Sequence, residues 1–544
     1  MLCRLCCARP NSSGVSRQTV QRRGGPIFLA GHRRVLSSVL PARRWSPCLP
    51  QALMNSKRPP ALPHTGDHPR KSTGGRDSAA RPRKSTDAAA RSRSVSALRS
   101  DVAPTCLPTL PLAPDSLAFA LDGAAQALSA VRSGMALPQA LAAVTAAQGT
   151  ILARGATQDI AYRTLRSLGL ADALASGLVQ KAPPPQVANL LTCALALLAD
   201  PPETAAYTAY AVVDQAVSAI AARRELAFAK GLVNAVLRNF LRNRDSLLAN
   251  ALAKPVARWN APQWWIVAVR RAWPDNWQAI LEADRVQGPL TLRVNRRLET
   301  VPGYLQRLAE AKIPAQAAGL TAIVLEHGVA VDRLPGFADG LVSVQDAGAQ
   351  LAAPLLNVQA GMRVLDACAA PGGKSGHLLE LADIDLVALE SDGRRASRIS
   401  ENLTRLGLSA QVVIGDAGDP DAWWDGQAFD RILADVPCSA SGIVRRHPDI
   451  RWLRRSSDIV TLVALQRRIL KALWRTLAPG GELVYVTCSI FPEEGELQAQ
   501  WFESEQQDAV RLEAPGQLLP SVAGSGQKPD SNHDGFFYAR FQKR

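Results

Sequence analysis

Apolar positions change their spacing along the chain. From Ser116 to about Asn250 they recur every three to four residues, in Leu117–Val131, Ile160–Leu168, Val187–Leu198, Tyr207–Ile220 and Leu226–Leu241. That is the period of amphipathic helices. Pro183–Pro185 and Pro201–Pro202 interrupt two of the connections, so the stretch predicts an all-α bundle. Between about 257 and 346 the pattern is mixed, with a helix over Trp264–Trp273 and a strand over Leu290–Asn295. From about 347 the runs shorten to strand length: Arg363–Asp366, Leu386–Glu390, Val412–Ile414, Arg431–Asp435 and Glu482–Thr487. A helical or loop segment separates each from the next. Such alternation predicts an open, mostly parallel, doubly wound sheet of the α/β Rossmann-like class. Ligands in these folds sit at the carboxyl ends of the strands. The expected organisation is multi-domain: residues 1–112, a helical domain at 113–256, a small α+β connecting region at 257–346, and the α/β domain at 347–544.

Composition changes this picture mainly at the start of the chain. The 544 residues carry a formal net charge of +16, but residues 1–100 hold 20 Lys and Arg against three Asp. The remainder holds 43 basic and 44 acidic residues and is nearly neutral. A nucleic-acid partner must therefore be argued from local patches rather than from overall charge. Residues 1–112 are rich in Arg, Ser, Pro and Ala with almost no aromatics, too little apolar surface to offset chain entropy. They are expected to form a disordered, dispensable basic tail, in preference to an organellar transit peptide or an over-long translation start with Met54 as the true one. The most apolar run, Val187–Ala199, is too short to span a bilayer, which takes about 20 residues. No secretory signal follows the first arginines. The nine cysteines show no disulfide spacing, which fits a reducing, cytoplasmic setting. Cys3-x-x-Cys6-Cys7 has no second ligand pair at finger spacing, so no metal is expected.

Candidate chemistry gathers at the ends of the predicted strands. The first ends in Asp366-Ala-Cys368-Ala369-Ala370-Pro371-Gly372-Gly373-Lys374, a small-residue loop whose backbone amides can approach a ligand closely. The second ends in Glu390, positioned to accept ribose hydroxyls, and the third is followed by Asp416, positioned for an adenine amino group. The loop has neither a phosphate-cradling Gly-Lys-Ser/Thr spacing nor Gly-x-Gly-x-x-Gly. The ordered set of loop, Glu390, Asp416 and Asp435 points to S-adenosyl-L-methionine as cofactor. The fourth strand ends in Asp435-Val-Pro-Cys438-Ser and the fifth in Thr487-Cys488-Ser, which sets two cysteines at the cofactor edge of the sheet. A thiolate adding to carbon 6 of cytosine makes carbon 5 nucleophilic enough to take a methyl group. A carboxyl group near ring nitrogen 3, such as Asp435, stabilises charge during that addition.

Several segments carry a family resemblance. Phe228–Asn239 resembles the signature of NusB-like RNA-binding domains. Asp366–Lys374, Asp435–Cys438, Arg445–Arg455, Thr487–Glu494 and Asp534–Ala539 look like the RsmB (Sun) branch of RNA cytosine-5 methyltransferases. Val344–Gln350 also matches, with Gly348 where a bulkier residue is more usual. The resemblance runs from about 115 to 544. It implies methylation of carbon 5 of a cytosine in 16S rRNA, at position 967, by a monomer, with Cys488 as nucleophile and Cys438 assisting release. Apart from the resemblance, Arg445, Arg446 and Arg451 can clamp phosphates and His447 can stack on a base, and Lys230 and Arg238 fall on exposed helix positions that can meet phosphate. The alternatives are the same chemistry on tRNA or another rRNA site, DNA cytosine methylation, and a non-catalytic NusB-like RNA-binding factor. Cys488 speaks against the DNA reading, because DNA enzymes use the Pro-Cys thiol. Intact cysteines and cofactor acids speak against the non-catalytic one.

Overall fold

The computed structural model describes residues 111–520 and 532–544. The expectations for the tail, Cys3, Cys6, Cys7 and Met54 lie outside these residues. The predicted helical period is realised as α1 (Leu117–Arg132), α2 (Leu137–Gln148), α3 (Arg154–Arg166), α4 (Leu168–Leu178), α5 (Pro185–Ala199), α6 (Ala209–Ala221), α7 (Lys230–Arg242) and α8 (Arg244–Leu252). α5 runs through the middle of the bundle, with Val187, Leu190, Leu191, Cys193, Leu195 and Leu197 all buried. A helix that is apolar on every side needs neighbours on every side. The salt bridge Arg223–Asp122, with two bonds of 2.8 Å, ties the end of α6 to α1 in the interior. The predicted helix over Leu226–Leu241 begins with a 3₁₀ turn, Ala227–Ala229, before α7. Its Val233, Val236, Leu237 and Phe240 are buried.

Short helices follow, and then a four-stranded antiparallel sheet built from β1 (Leu290–Val294), β2 (Ala315–Ala317), β3 (Ala322–Leu325) and β4 (Val342–Val344), in the order β2-β3-β1-β4. The helix Val301–Glu310 covers it and buries Tyr304 and Leu308 against Leu292, Ile323 and Leu325. One polar residue carries this sheet's influence into the next. Arg293 of β1 is fully buried and donates to both oxygens of Glu380, to Gln345 Oε1 and to the carbonyl of Gly373. The smaller sheet is thereby pinned to both ends of the helix Gly373–Leu381 in the larger domain.

The second sheet, seven-stranded among the described residues, contains β5 (Arg363–Ala367), β6 (Asp385–Glu390), β7 (Gln411–Ile414), β8 (Phe429–Asp435), β9 (Leu477–Thr487), β10 (Ala509–Leu518) and β11 (Phe536–Lys543). Its order is β10-β11-β9-β8-β5-β6-β7. The five strands from β9 to β7 pair in parallel, and β10 and β11 close one edge antiparallel. Continuous apolar runs such as Ile432–Ala434 and Leu483–Val486 are buried, as expected for strands covered on both faces. The chain winds from β5 to β6 and β7 in one direction and returns to β8 on the other side of β5. That makes a topological switch point at the carboxyl ends of β5 and β8. No helix among the described residues is long and apolar enough to cross a membrane.

Candidate active site

The loop after β5 is shaped by its backbone. Cys368 has φ 63° and Gly372 φ 91°, both in the left-handed region. A Cβ at Gly372 would lie 3.1 Å from Ile399 Cα, so the glycine serves both the turn and the close packing. The amide of Ala369 donates to the carbonyl of Leu389 at 2.9 Å, which lays the loop across the end of β6. Glu390 is buried there. Its carboxylate accepts from the amides of Ala370 (3.3 Å) and Asp392 (3.1 Å) and lies 3.4 Å from Arg395. Asp416 is half-exposed, pairs with Arg468 at 2.8 Å and accepts from the amide of Gly418. At the switch point, Lys374 Nζ meets Asp435 Oδ2 at 2.6 Å. Burial alone would lower the Lys374 pKa, but the Asp435 carboxylate and its hydrogen bond outweigh that and hold the ammonium above its ordinary range.

The two cysteines sit where β8 and β9 end side by side. Fifty positions apart in sequence, Cys438 and Cys488 have their sulfur atoms 3.4 Å apart. The hydrogen bond to Cys488, burial and nearby negative charge push the Cys438 thiol well above its ordinary pKa. Either sulfur can be the donor in this contact. The site therefore presents two sulfurs in contact, next to a part-buried carboxylate–ammonium pair. Among the described residues no group of three or more His, Cys, Asp or Glu could hold a metal.

The arginine-rich segment behaves differently from the sequence expectation. Arg451 is fully buried and donates to the carbonyls of Asn260 (2.9 Å) and Asp284 (2.7 Å). Arg445 is buried as well, bonded to Asp534 and Asn532. The expectation that these two meet phosphate is thus corrected: burial and protein partners occupy their guanidinium groups. Arg446 keeps a quarter of its side chain exposed, but bonds to Asp534, Asp346 and the carbonyl of Pro289. His447 is half-buried, and desolvation pulls its pKa down. Trp452 and Leu453 pack against the core of the helical bundle, and Asp449 accepts from the amide of Leu137 at the start of α2. The segment fastens the bundle, the connecting region and the catalytic sheet together. In the bundle, Lys230 and Arg238 are exposed. Arg244 is spent on the carbonyls of Ala199 and Asp200 at the end of α5.

Sequence reading passed over a set of buried polar groups behind the thiols: Glu494 and the hydroxyls of Ser439, Ser441 and Ser489. Their signals were a serine directly after each cysteine, Ser439 and Ser489, and the place of Glu494 at the end of the Thr487–Glu494 motif. It also passed over Asp346 and Asp534, the acids that hold Arg446.

Residues 353–542 match the family described as 16S rRNA methyltransferase RsmB/F, and residues 261–332 the ferredoxin-like domain described for RsmF/B-like methyltransferases. The chain is 42% identical over 434 residues to ribosomal RNA small subunit methyltransferase B of Pseudomonas syringae pv. tomato, covering 77% of this chain and 96% of that one. It is 46% identical over 323 residues to the protein of the same name from Vibrio cholerae, covering 58% and 73%. The crystal structure of PH0851 shares the fold, with a TM-score of 0.63, 24% identity, and coverage of 80% of this chain and all of that one. With this identity along nearly the whole length of its relatives, the chain belongs to the ribosomal RNA small subunit methyltransferase B family.

Proposed function

We propose that the chain transfers the methyl group of S-adenosylmethionine to carbon 5 of a cytosine in 16S rRNA, position 967, through a covalent adduct with Cys488. The observation that carries this reading is the pair of sulfurs 3.4 Å apart at neighbouring strand ends, beside the Lys374–Asp435 pair. The residues fit the cofactor. Cys368–Lys374 form a small-residue loop that Gly372 lets pack tightly against Ile399, and Glu390 and Asp416 follow at the ends of β6 and β7. When bound, the cofactor supplies an electrophilic methyl group. The Cys488 thiolate adds to carbon 6, and its electron pair makes carbon 5 the nucleophile. Asp435, oriented by Lys374, faces ring nitrogen 3 and stabilises charge there during the addition. After methyl transfer the proton on carbon 5 must leave, so that the ring electrons can expel the Cys488 sulfur. Cys438, acting as a thiolate, takes up that proton, and the Cys488 sulfur leaves as the thiolate that began the cycle. We assign residues 113–256 to rRNA binding, with Lys230 and Arg238 as exposed phosphate contacts, residues 257–346 to a connecting region, and residues 347–544 to methyl transfer.

Single substitutions separate the two thiols. Cys488→Ala is expected to bind cofactor and form no adduct. Cys438→Ala is expected to stall after transfer, leaving a protein–RNA species that survives denaturation and runs as a slow band on a denaturing gel. The double variant should show no band. A band from Cys488→Ala and none from Cys438→Ala would reverse the roles. Full activity in both single variants would remove the thiols from the mechanism.

A further inference from the structure

Behind the two sulfurs lies a polar cluster that the transfer steps do not use. The hydroxyls of Ser439, Ser441 and Ser489 lie 2.9–3.2 Å from one another. All three residues are fully buried, as are Glu494 and Gln466. Glu494 Oε1 accepts from the backbone amide of Ser439 at 2.8 Å and from Gln466 Nε2 at 3.1 Å. Its Oε2 accepts from the Ser489 hydroxyl at 2.7 Å. One carboxyl group thus holds the residue that follows Cys438 and the residue that follows Cys488. Gln466 Nε2 also donates to the carbonyl of Pro437, immediately before Cys438. The hydroxyls of Tyr485 and Thr487, on the strand leading to Cys488, donate to the backbone carbonyl of Glu494 at 2.8 and 3.3 Å. The Ser441 hydroxyl bridges the loops as well, lying 2.9 Å from Ser489 Oγ and accepting from the amide of Ile490 at 2.9 Å.

A reaction in which one thiol adds and a second assists departure depends on the distance between them. Misplacing reacting groups by about 1 Å can cost about 100-fold in rate. We propose that Glu494 is a positioning residue that locks Cys438 and Cys488 into one frame, so that the second thiol can complete the release of the first. This rests on the reading of the two thiols given above. Every contact to the Glu494 carboxyl comes from an N–H or O–H donor, so its role is to accept hydrogen bonds at fixed places. Burial pushes its pKa up, and the bonds from Ser439, Ser489 and Gln466 pull it back. A glutamine of the same shape keeps Oε1 for Ser439 and Gln466 and turns its amide toward the Ser489 oxygen. An alanine removes three bonds at once and strands the Ser439 amide in the interior.

The test uses the full chain, S-adenosylmethionine, and 16S rRNA from cells lacking this methylation. For Glu494→Ala we expect kcat to fall by about 30-fold with the KM for S-adenosylmethionine within about 2-fold. The same denaturation-resistant band expected of Cys438→Ala should appear. Glu494→Gln should recover kcat to within about 3-fold and lose the band. If Glu494→Ala is insoluble, Ser489→Ala removes one of the two tethers and carries the same expectation. The proposal is overturned if the Ala variant turns over at the wild-type rate, if it is slow without a band, or if Glu494→Gln is no better than Glu494→Ala. Cys438→Ala, run alongside, separates the two ideas. A band there with none from Glu494→Ala defeats the role of Glu494 alone. No band from Cys438→Ala defeats the two-thiol reading and this proposal with it.

Discussion

Asp366, near the end of β5, shows what a single side chain costs in this interior. It is fully buried; Oδ2 accepts from the Ser375 hydroxyl at 2.6 Å, and Oδ1 has no partner among the described residues. Burial raises its pKa to about 7, offset in part by the Ser375 bond and reinforced by Asp435. In the unfolded chain the group ionises near pH 4. Between roughly pH 4 and 7 the folded state therefore holds the proton more tightly, and stability falls as pH rises. The group's contribution is fully present below pH 4 and lost as pH passes through about 7. Asp366→Asn abolishes this dependence. Denaturant unfolding at pH 5 and pH 8 should show the variant gaining on the wild type by on the order of 1–4 kcal/mol at the higher pH. An unchanged difference would mean that Asp366 titrates normally. Residues of this scale were legible where a motif names them, as with the two cysteines and Lys374. Glu494 was not, because its role depends on an amide 55 positions away.

At the scale of elements, strong periodicity made β5–β9 and α5 readable from the sequence. The boundaries agree to within a few residues, apart from early starts such as Leu477 in β9. α2 escaped, because its sequence Leu137–Gln148 is alanine-rich and buries only Leu137, Ala140 and Val144. α4 escaped as well: the predicted run Ile160–Leu168 stops where it begins, and Ser167 separates it from α3. β10 and β11 were also missed as strands; Phe536–Tyr538 is an unbroken apolar run whose pairing with β9 is decided by contacts across the sheet. The start of α2 shows how an element can depend on a distant one. Its N-cap, Ala136, has no side chain to offer, and the amide of Leu137 is satisfied by Asp449 Oδ2 at 2.9 Å, 312 positions away. Asp449→Ala should therefore lower stability by about 1–2 kcal/mol. Asp449→Asn, which keeps an acceptor oxygen, should recover most of it. Equal losses from the two variants, measured by chemical unfolding, would count against the cap.

At the scale of the whole molecule, the segment Arg445–Arg455 joins three regions. A fragment comprising residues 257–544 keeps every residue of the candidate site but uncovers Trp452 and Leu453, which pack on the bundle. It also loses the bonds from the Gly169 amide to the Asn260 side chain, and from that side chain to the carbonyl of Leu165. Each large apolar side chain returned to water costs about 1.5–3 kcal/mol. The fragment's thermal midpoint is expected to lie about 5–10 °C below that of the full chain. A midpoint equal to the full chain's would show that this interface contributes nothing to stability.

The sequence by itself determined the class of the helical region and of the parallel sheet, the order of the parallel strands along the chain, the small-residue loop and the placement of both cysteines at strand ends. Periodicity and motifs are local properties, and a strand followed by a tight loop puts its last residues at the same edge wherever the strand lies. Only the tertiary structure decided which charged groups face water. Arg451 looks like a phosphate contact until Asn260, 191 positions away, and Asp284 close over it. Arg445 looks the same until Asp534, 89 positions on, takes up its charge. A guanidinium is costly to bury unless its partners are in place, and partners so distant in sequence are brought together only by the packing of whole regions.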